Sequence, residues 1–288
     1  MQTLEIFQSM WAMERRRPDG VEWSLEEKLA MIAEAGYDGA DLVAGHAIAE
    51  GIGPALERHG LAATVTAFPK SVPDLEPAIA LARDLGARHL NIIGQVYPFT
   101  VTEGADFVRG WLALCEAARL PVVIETHRDA ITTDLLYTLQ LMEAVPEMRL
   151  SADLSHFVVA REFGWPISAE VQAQIDRVLE RSDAFQGRIA SREQVQLQVG
   201  FPQHRDWFEL FLGWWREGFR LWRARAGKDA RLNFLCELGP KEYAMTGPDG
   251  FELSDRWQDA LAIKARVEEI WAGLEAADQG DRSGSRPN

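Results

Sequence analysis

The hydrophobic residues of this chain fall into short runs that alternate with longer helical patterns. The first run covers positions 4–7, and Leu25, Leu29 and Ile32 then recur three or four positions apart. Short apolar runs bounded by turn residues are typical of buried strands, whereas a period near 3.6 is typical of amphipathic helices. The same alternation repeats along the chain, so it predicts βα units around a parallel sheet.

The number of repeats decides between architectures. Ser24 and Glu27 form a candidate capping box at the first helix, and glycines such as Gly36 and Gly86 can end helices before the next strand. Eight strands are predicted, at 4–7, 37–43, 61–66, 89–93, 121–125, 148–153, 184–189 and 232–237. Eight βα units predict an α/β fold that is a single-domain (β/α)8 TIM barrel. We assign residues 1–276 to the barrel, and we expect the polar segment 277–288 to be a mobile C-terminal tail.

Composition excludes several classes of partner. The chain has 44 acidic and 30 basic residues, which gives a formal net charge of −14. Surplus carboxylates repel phosphate backbones and anionic lipid headgroups, so we expect neither nucleic acid nor a membrane as a partner. Cys115 and Cys236 are too few for a disulfide framework, and no apolar run approaches the roughly 18 residues of a spanning helix. A cytoplasmic protein is expected.

One helical segment, residues 207–225, is rich in aromatic residues. It contains four of the ten tryptophans, and its apolar positions 208, 212, 215, 219 and 222 form a helical stripe. Such a stripe is typical of a helix in a thick core, but it can also form a contact between subunits. A homo-oligomer assembled through this helix is therefore one of two interpretations.

Acidic residues stand at the ends of three predicted strands. Glu125 follows Val122-Val123-Ile124, Asp153 follows Leu150-Ser151-Ala152, and Glu237 ends the predicted eighth strand. The C-terminal ends of barrel strands meet at one mouth, so these carboxylates should face each other there. Each alone can be a helix cap or an ion-pair partner, but three together favour a divalent cation.

The motifs around these acids resemble those of a known family. Glu125-Thr126-His127-Arg128, Ala152-Asp153-Leu154-Ser155-His156 and Glu237-Leu238-Gly239-Pro240 look like the strand-end motifs of the xylose isomerase-like barrels, often described as sugar phosphate isomerases/epimerases. The resemblance covers nearly the whole chain. It implies a metal held by a Glu, an Asp, a His and a second Glu, at positions that hold Glu125, Asp153, Gln186 and Glu237 here.

Gln186 is where the chain departs from the family pattern, because it occupies the histidine position. Alternation still places Gln186 and Arg188 on one face of the seventh strand. An amide oxygen ligates hard cations but binds transition metals more weakly than imidazole does. We therefore expect Mn²⁺ or Mg²⁺ first, and Zn²⁺ or Co²⁺ second.

The resemblance implies a divalent-metal-dependent isomerase or epimerase that acts on a small-molecule carbohydrate, a sugar or keto-polyol. Glu125 and Glu237 would be the acid/base pair for proton transfer through an enediolate, and His156 and Arg188 would bind the substrate. His127 would orient Glu125 or satisfy a loop carbonyl group beside the substrate. Trp11 would form an apolar wall for a sugar ring, unless it is ordinary packing.

Other functions remain open on the same scaffold. A lyase or dehydratase on a keto-polyol would use the same enolate chemistry, and a non-catalytic sugar-binding barrel would explain the lost histidine. A metal-dependent endonuclease would need more histidine ligands and a basic surface, which the net charge of −14 disfavours. A phosphorylated substrate is not implied, because the chain lacks a glycine-rich phosphate loop.

Overall fold

The computed structural model describes residues 1–17, 19–45 and 51–284. Eight parallel strands close into a barrel in the order β1 to β8, with β1 paired to both β2 and β8. The strands are β1 Thr3–Ser9, β2 Gly39–Val43, β3 Ala62–Ala67, β4 Leu90–Ile92, β5 Val122–Glu125, β6 Leu150–Ala152, β7 Ser182–Gln186 and β8 Arg231–Cys236. The predicted single-domain TIM barrel is confirmed.

Helices surround the barrel on its outer face. They are α1 Leu25–Glu34, α2 Ile52–Arg58, α3 Glu76–Asp84, α4 Val101–Ala117, α5 Leu135–Ala144, α6 Leu154–Ala160, α7 Ala169–Glu180, α8 Arg205–Arg225 and α9 Arg256–Gly284. The capping box predicted for α1 is present, because the Ser24 hydroxyl accepts from the Glu27 backbone N–H and the Glu27 carboxylate accepts from the Ser24 N–H. The sequence therefore encodes where this helix begins as well as its buried face.

Two strands near the site differ from their predicted bounds. The sixth strand ends at Ala152 rather than Asp153, because Asp153 is the N-cap of the unpredicted helix α6. The seventh strand begins at Ser182 and ends at Gln186, two residues earlier at its start and three at its end than the alternation indicated. Arg188 therefore lies beyond the strand, in the loop that follows it.

The aromatic stripe of α8 lies inside the molecule. Phe208, Leu212, Trp215, Phe219 and Trp222 are all at most 8% exposed. The Trp215 ring meets the ring of a β8 phenylalanine edge-on at 5.2 Å, so the stripe packs on the barrel wall. The stripe is therefore part of the core, as the first of the two interpretations has it. A homo-oligomer assembled through this helix stays a prediction, and the burial of the stripe does not support it.

Helix α9 continues beyond the predicted domain boundary. It runs to Gly284, eight residues past position 276, and residues 285–288 lie outside the described part of the chain. The mobility of 277–288 therefore stays a prediction. Among the described residues, no helix is both long and apolar enough to cross a membrane. Cys115 and Cys236 are free and buried.

Candidate active site

Three carboxylates meet at the C-terminal mouth of the barrel. Glu125 is the last residue of β5, Asp153 follows β6 and Glu237 follows β8. Each offers a carboxylate oxygen, and these oxygens lie within 4.8 Å of one another. The structure thus brings together the three acids that the sequence placed at separate strand ends.

Glu125 is almost completely buried, with 1% of its surface exposed. Its side chain is held by amide donors, with Oε2 accepting from Asn91 Nδ2 and, at 3.0 Å, from Gln186 Nε2. The other oxygen, Oε1, is buried without a hydrogen-bond partner. Burial raises the pKa of Glu125 well above its usual range, and the charges of Glu237 and Asp153 raise it further. Both effects disfavour the ionised form of this carboxyl group, and a cation at the mouth would oppose them.

Asp153 performs both of the structural roles that a strand-end acid can have. It caps α6 by accepting from the Ser155 N–H at 3.0 Å, and it forms an ion pair with Arg188, Oδ2 to Nη1 at 3.0 Å. Burial still raises its pKa, although the Arg188 charge opposes the shift. A cap and an ion pair are thus compatible with a position among the other carboxylates.

Arg188 joins two of the acids. It is 1% exposed, and its Nη2 lies 3.0 Å from Oε2 of Glu237 while its Nε donates to the Glu237 carbonyl at 3.1 Å. Burial raises the pKa of Glu237 to about 7 against the lowering effect of Arg188. Burial disfavours the charged form of Arg188, but the charges of Glu237 and Asp153 outweigh it and raise its pKa. The guanidinium is therefore charged, and burial brings the pKa of Glu237 close to neutral pH despite its ion pair.

Gln186 faces the barrel axis next to Glu125. Its Nε2 donates to Glu125 and, at 3.1 Å, to Ser151 Oγ, whereas its Oε1 is buried without a partner. Gly187 follows it at a crowded point, where an added Cβ would lie 2.7 Å from the Phe234 ring. A larger residue at position 187 would therefore collide with the barrel wall. Gln186 and Arg188 both contact the site acids, as their predicted shared face implied, although Arg188 lies beyond the strand.

Two histidines stack beside the carboxylates. The rings of His127 and His156 lie 4.0 Å apart between centroids. Burial lowers the pKa of His127 to about 4 and lowers that of His156 well below its usual range, with Arg188 contributing to both shifts. Both imidazoles are therefore neutral. Arg188 Nη1 and Asp153 Oδ2 both lie close to His156 Nε2, at 3.2 and 3.3 Å, whereas His156 Nδ1 is buried without a partner.

His127 contacts the loop carbonyl group of Arg128 through Nδ1, as one of its two predicted roles required. Its ligand atom also lies within 4.8 Å of atoms of Glu125 and His156. His127 is therefore in reach of a substrate or ion at the mouth, in addition to its loop contact.

Aromatic side chains form one wall of the mouth. Trp11 follows β1 and meets the ring of Tyr243 edge-on at 5.2 Å. The Tyr243 ring lies 5.0 Å from the guanidinium carbons of both Arg188 and Arg128. Trp11 is where the sequence placed it, but Tyr243 was not anticipated, because it follows β8 in an irregular loop and has no periodic neighbours.

A second unanticipated group supports Glu125 from inside the barrel. Asn91 on β4 donates to Glu125 and, at 3.3 Å, to Thr66 Oγ1, and Thr66 in turn donates to Asp41. Asp41 on β2 also accepts from Thr64 at 2.8 Å, and burial raises its pKa to about 7. The sequence contains one signal for this chain of hydrogen bonds. Polar residues at the inward positions of β2, β3 and β4 break the apolar pattern of these strands.

The residues present fit a divalent cation. Hard cations bind oxygen ligands at roughly 2.0–2.6 Å, so ligands on opposite sides of an ion lie about 4–5 Å apart. The 4.8 Å limit on the three carboxylates agrees with this span, and Glu125 Oε1 and Gln186 Oε1 are acceptors with no partner. An all-oxygen donor set suits Mg²⁺ or Mn²⁺. Arg188 occupies one oxygen of Asp153 and one of Glu237, so a cation would share these carboxylates with the guanidinium.

Comparisons with known proteins agree with this fold. A scan of protein-family models and a search of curated proteins gave no match. Among solved structures, the chain is similar to a sugar phosphate isomerase/epimerase from Parabacteroides distasonis, with a TM-score of 0.61 and 8% identity over 93% of this chain and 95% of that one. It is also similar to the probable 3-DHS dehydratase AsbF of Bacillus anthracis (TM-score 0.57, 15% identity, 90% and 97% covered).

A third similar structure is an AP endonuclease of family 2 from Brucella melitensis, with a TM-score of 0.54 and 12% identity over 82% of this chain and 93% of that one. At these identities the likeness concerns the fold. The likeness agrees with the barrel architecture that the resemblance to xylose isomerase-like barrels implied.

Proposed function

We propose that this protein is a divalent-metal-dependent isomerase or epimerase that acts on a sugar or keto-polyol. The observation that carries the proposal is the approach of Glu125, Asp153 and Glu237 to within 4.8 Å at the barrel mouth. All three acids have raised pKa values, which suits Glu125 and Glu237 as the proposed proton donor and acceptor at neutral pH. The enzyme character fits the enzymes among similar structures.

Glu125 and Glu237 exchange the proton in this proposal. Glu125, once ionised, removes the proton from the carbon next to the substrate carbonyl. Glu237 then returns a proton to the neighbouring carbon in an isomerisation, or to the opposite face of the same carbon in an epimerisation. A divalent cation held by Glu125, Asp153, Glu237 and the Gln186 amide would supply Lewis-acid stabilisation of the enediolate oxygens. It would also favour the ionised form of Glu125, which the protein alone disfavours.

The remaining side chains position the substrate. Arg188 directs its guanidinium at the mouth, and neutral His156 has an unpartnered Nδ1 that can form a hydrogen bond with a substrate hydroxyl. Trp11 and Tyr243 form a wall on which the apolar face of a sugar ring can stack.

A dehydratase on a keto-polyol is the second candidate, and one feature of Glu237 favours it. Its side chain is 17% exposed and its pKa is raised to about 7, so a protonated fraction is available at neutral pH to protonate a departing β-hydroxyl. The two reactions share the first proton transfer and differ only in whether water leaves.

Solvent-exchange NMR tests both candidates. A panel of ketoses and keto-polyols is incubated in D₂O with Mn²⁺ or Mg²⁺, and we expect deuterium to enter the carbon next to the carbonyl. Glu125→Gln and Glu237→Gln should each reduce exchange by about 100-fold or more. Glu143→Gln changes an exposed acid on α5 and should exchange at the wild-type rate.

The products decide between the candidates. Rearranged sugars support the isomerase or epimerase, whereas products that have lost water support the lyase. Binding of sugars without exchange under any metal condition would contradict catalysis and leave a sugar-binding barrel.

A further inference from the structure

The opposite, N-terminal end of the barrel has a cleft of about 650 Å³ that the proposed function does not use. Its walls are formed by residues that immediately precede strands β4, β6 and β8 and by the end of α8. Four arginines line it, namely Arg88, Arg149, Arg225 and Arg231. This concentration of positive charge contrasts with the net charge of −14 of the whole chain.

The first pair of arginines shares one carboxylate. Glu5 on β1 is 2.9 Å from Arg88 Nε through Oε2 and 3.4 Å from Arg231 Nη1 through Oε1. Two guanidinium charges thus face one carboxylate. The Arg231 side chain remains 50% exposed, so most of its donors are open to solvent or to a ligand.

The second pair repeats this arrangement around the start of β7. Asp183 on β7 is 2.6 Å from Arg225 Nη2 and 3.7 Å from Arg149 Nε. Nearby Arg181 is crowded by like charge: burial lowers its pKa, and the charges of Arg149 and Arg225 lower it further. This side of the cleft therefore has more positive charge than its own acids neutralise.

The remaining polar groups of the cleft do not remove the excess. Asp229 lines it as well, but its carboxylate is taken by the Met1 amino group at 2.7 Å. The cleft floor contains His89, which is 9% exposed and whose pKa burial lowers to about 4, so it is neutral. Asn233 beside it has a buried Oδ1 without a partner. The excess charge thus stays at the walls, above a neutral polar floor.

We propose that this cleft binds a small oxyanion with two or more negative charges. Guanidinium groups bind phosphate and carboxylate oxygens in a bidentate manner, and arginines of the two pairs can bind separate groups of one ligand. The volume of about 650 Å³ lies within the usual range for small-molecule sites. A basic cleft on an acidic protein also attracts anions from solution. The site shares no residue with the carboxylate mouth, so it does not depend on the proposed catalytic function.

Isothermal titration calorimetry with diphosphate and with citrate at fixed low ionic strength tests the proposal. We expect saturable one-to-one binding to the wild-type protein. The double variant Arg149→Gln/Arg231→Gln changes one arginine of each pair. It should weaken binding by about tenfold or more. Thermal unfolding of the same variant shows whether it is folded.

Two control variants separate this site from general charge effects and from the mouth. Arg177→Gln/Arg220→Gln removes two exposed, ion-paired arginines outside the cleft and should bind like wild type. Arg128→Gln removes a mouth arginine and should also leave binding unchanged. Tighter binding of diphosphate supports a phosphate-bearing ligand, and tighter binding of citrate supports a polycarboxylate. No saturable binding in the millimolar range, or equal binding by the folded cleft variant, overturns the proposal.

Discussion

Replacement of Arg188 by methionine tests the electrostatics of the carboxylate mouth. The guanidinium is 1% exposed and lies 3.0 Å from both the Asp153 and the Glu237 carboxylates. Methionine keeps an unbranched apolar stem but removes the charge. The two acids then remain buried beside Glu125 without that cation, and we expect the folded state to lose stability.

The size of the loss depends on pH. Removal of one partner from a buried ion pair costs about 3–5 kcal/mol when the other partner stays charged. Because the folded-state pKa of Glu237 is raised to about 7, the folded protein retains a proton that the unfolded chain releases above about pH 4.5. Stability therefore falls as pH rises through this window, and Arg188→Met shifts the window upward. The loss should approach 3–5 kcal/mol near pH 8.5 and be smaller at pH 5.5, where Glu237 is protonated.

Thermal and urea unfolding at pH 5.5, 7 and 8.5 measure this difference. For domains of about this size each kcal/mol shifts Tm by about 2–4 °C, so a loss near 10 °C is expected at pH 8.5. Arg188→Lys keeps the charge without the bidentate geometry and should fall between wild type and Arg188→Met. Millimolar Mn²⁺ should stabilise Arg188→Met more than wild type, because the ion then meets Asp153 and Glu237 without competition.

Two results would refute this reasoning. A loss below about 1 kcal/mol at pH 8.5 would mean that Arg188 does not compensate the acids. A large loss that is equal at all three pH values would mean that Arg188 stabilises the fold through packing and hydrogen bonds rather than through its charge.

Three further substitutions test other parts of the structure. Asp41→Asn removes a buried acid whose pKa is raised to about 7, so the variant does not lose stability when this acid ionises. The stability of the variant relative to wild type should therefore increase by about 2–4 kcal/mol between pH 4 and pH 8 in urea unfolding. A difference that is the same at both pH values would contradict the raised pKa. Gln186→His restores an imidazole and should tighten Co²⁺ or Zn²⁺ binding about tenfold in titration calorimetry, whereas unchanged affinity would place position 186 outside the metal site. Gly39→Ala adds a Cβ that overlaps the Phe7 ring and the Ala62 carbonyl oxygen, so it should lower stability by about 1–3 kcal/mol in thermal unfolding, and a wild-type Tm would show that β1 and β2 can separate.

The barrel and the three acids could be predicted because both depend on local order. Alternating strand and helix patterns fix the count of βα units, and a parallel barrel then brings every strand end to one mouth whatever the details of packing. Glu125 and Glu237 lie directly at the ends of their strands, so small errors in strand bounds did not move them.

Other features could not be predicted because they depend on tertiary contacts. The stretch 154–160 has no strong helical period, and only the cap by Asp153 shows that it begins a helix. Tyr243 comes to the mouth through an irregular loop, where position in sequence says little about position in space. Asn91 breaks the apolar pattern of a buried strand, which marks the position, but its role becomes visible only when Glu125 is found beside it.

The barrel interior supplies the physical link between these features. TIM barrel cores are usually filled by branched apolar side chains. Here Asp41, Thr66 and Asn91 form a buried chain of hydrogen bonds that ends on Glu125, and Gln186 donates to Glu125 as well. Buried polar groups of this kind reduce stability unless they are satisfied, so they are best explained by what they hold. Two amide donors hold one oxygen of Glu125 and leave the other without a partner, and this carboxylate lies within 4.8 Å of those of Asp153 and Glu237. The interior thus orients one carboxylate oxygen for a cation or a proton, and Asn91→Leu should misplace Glu125 even though it adds apolar volume to the core.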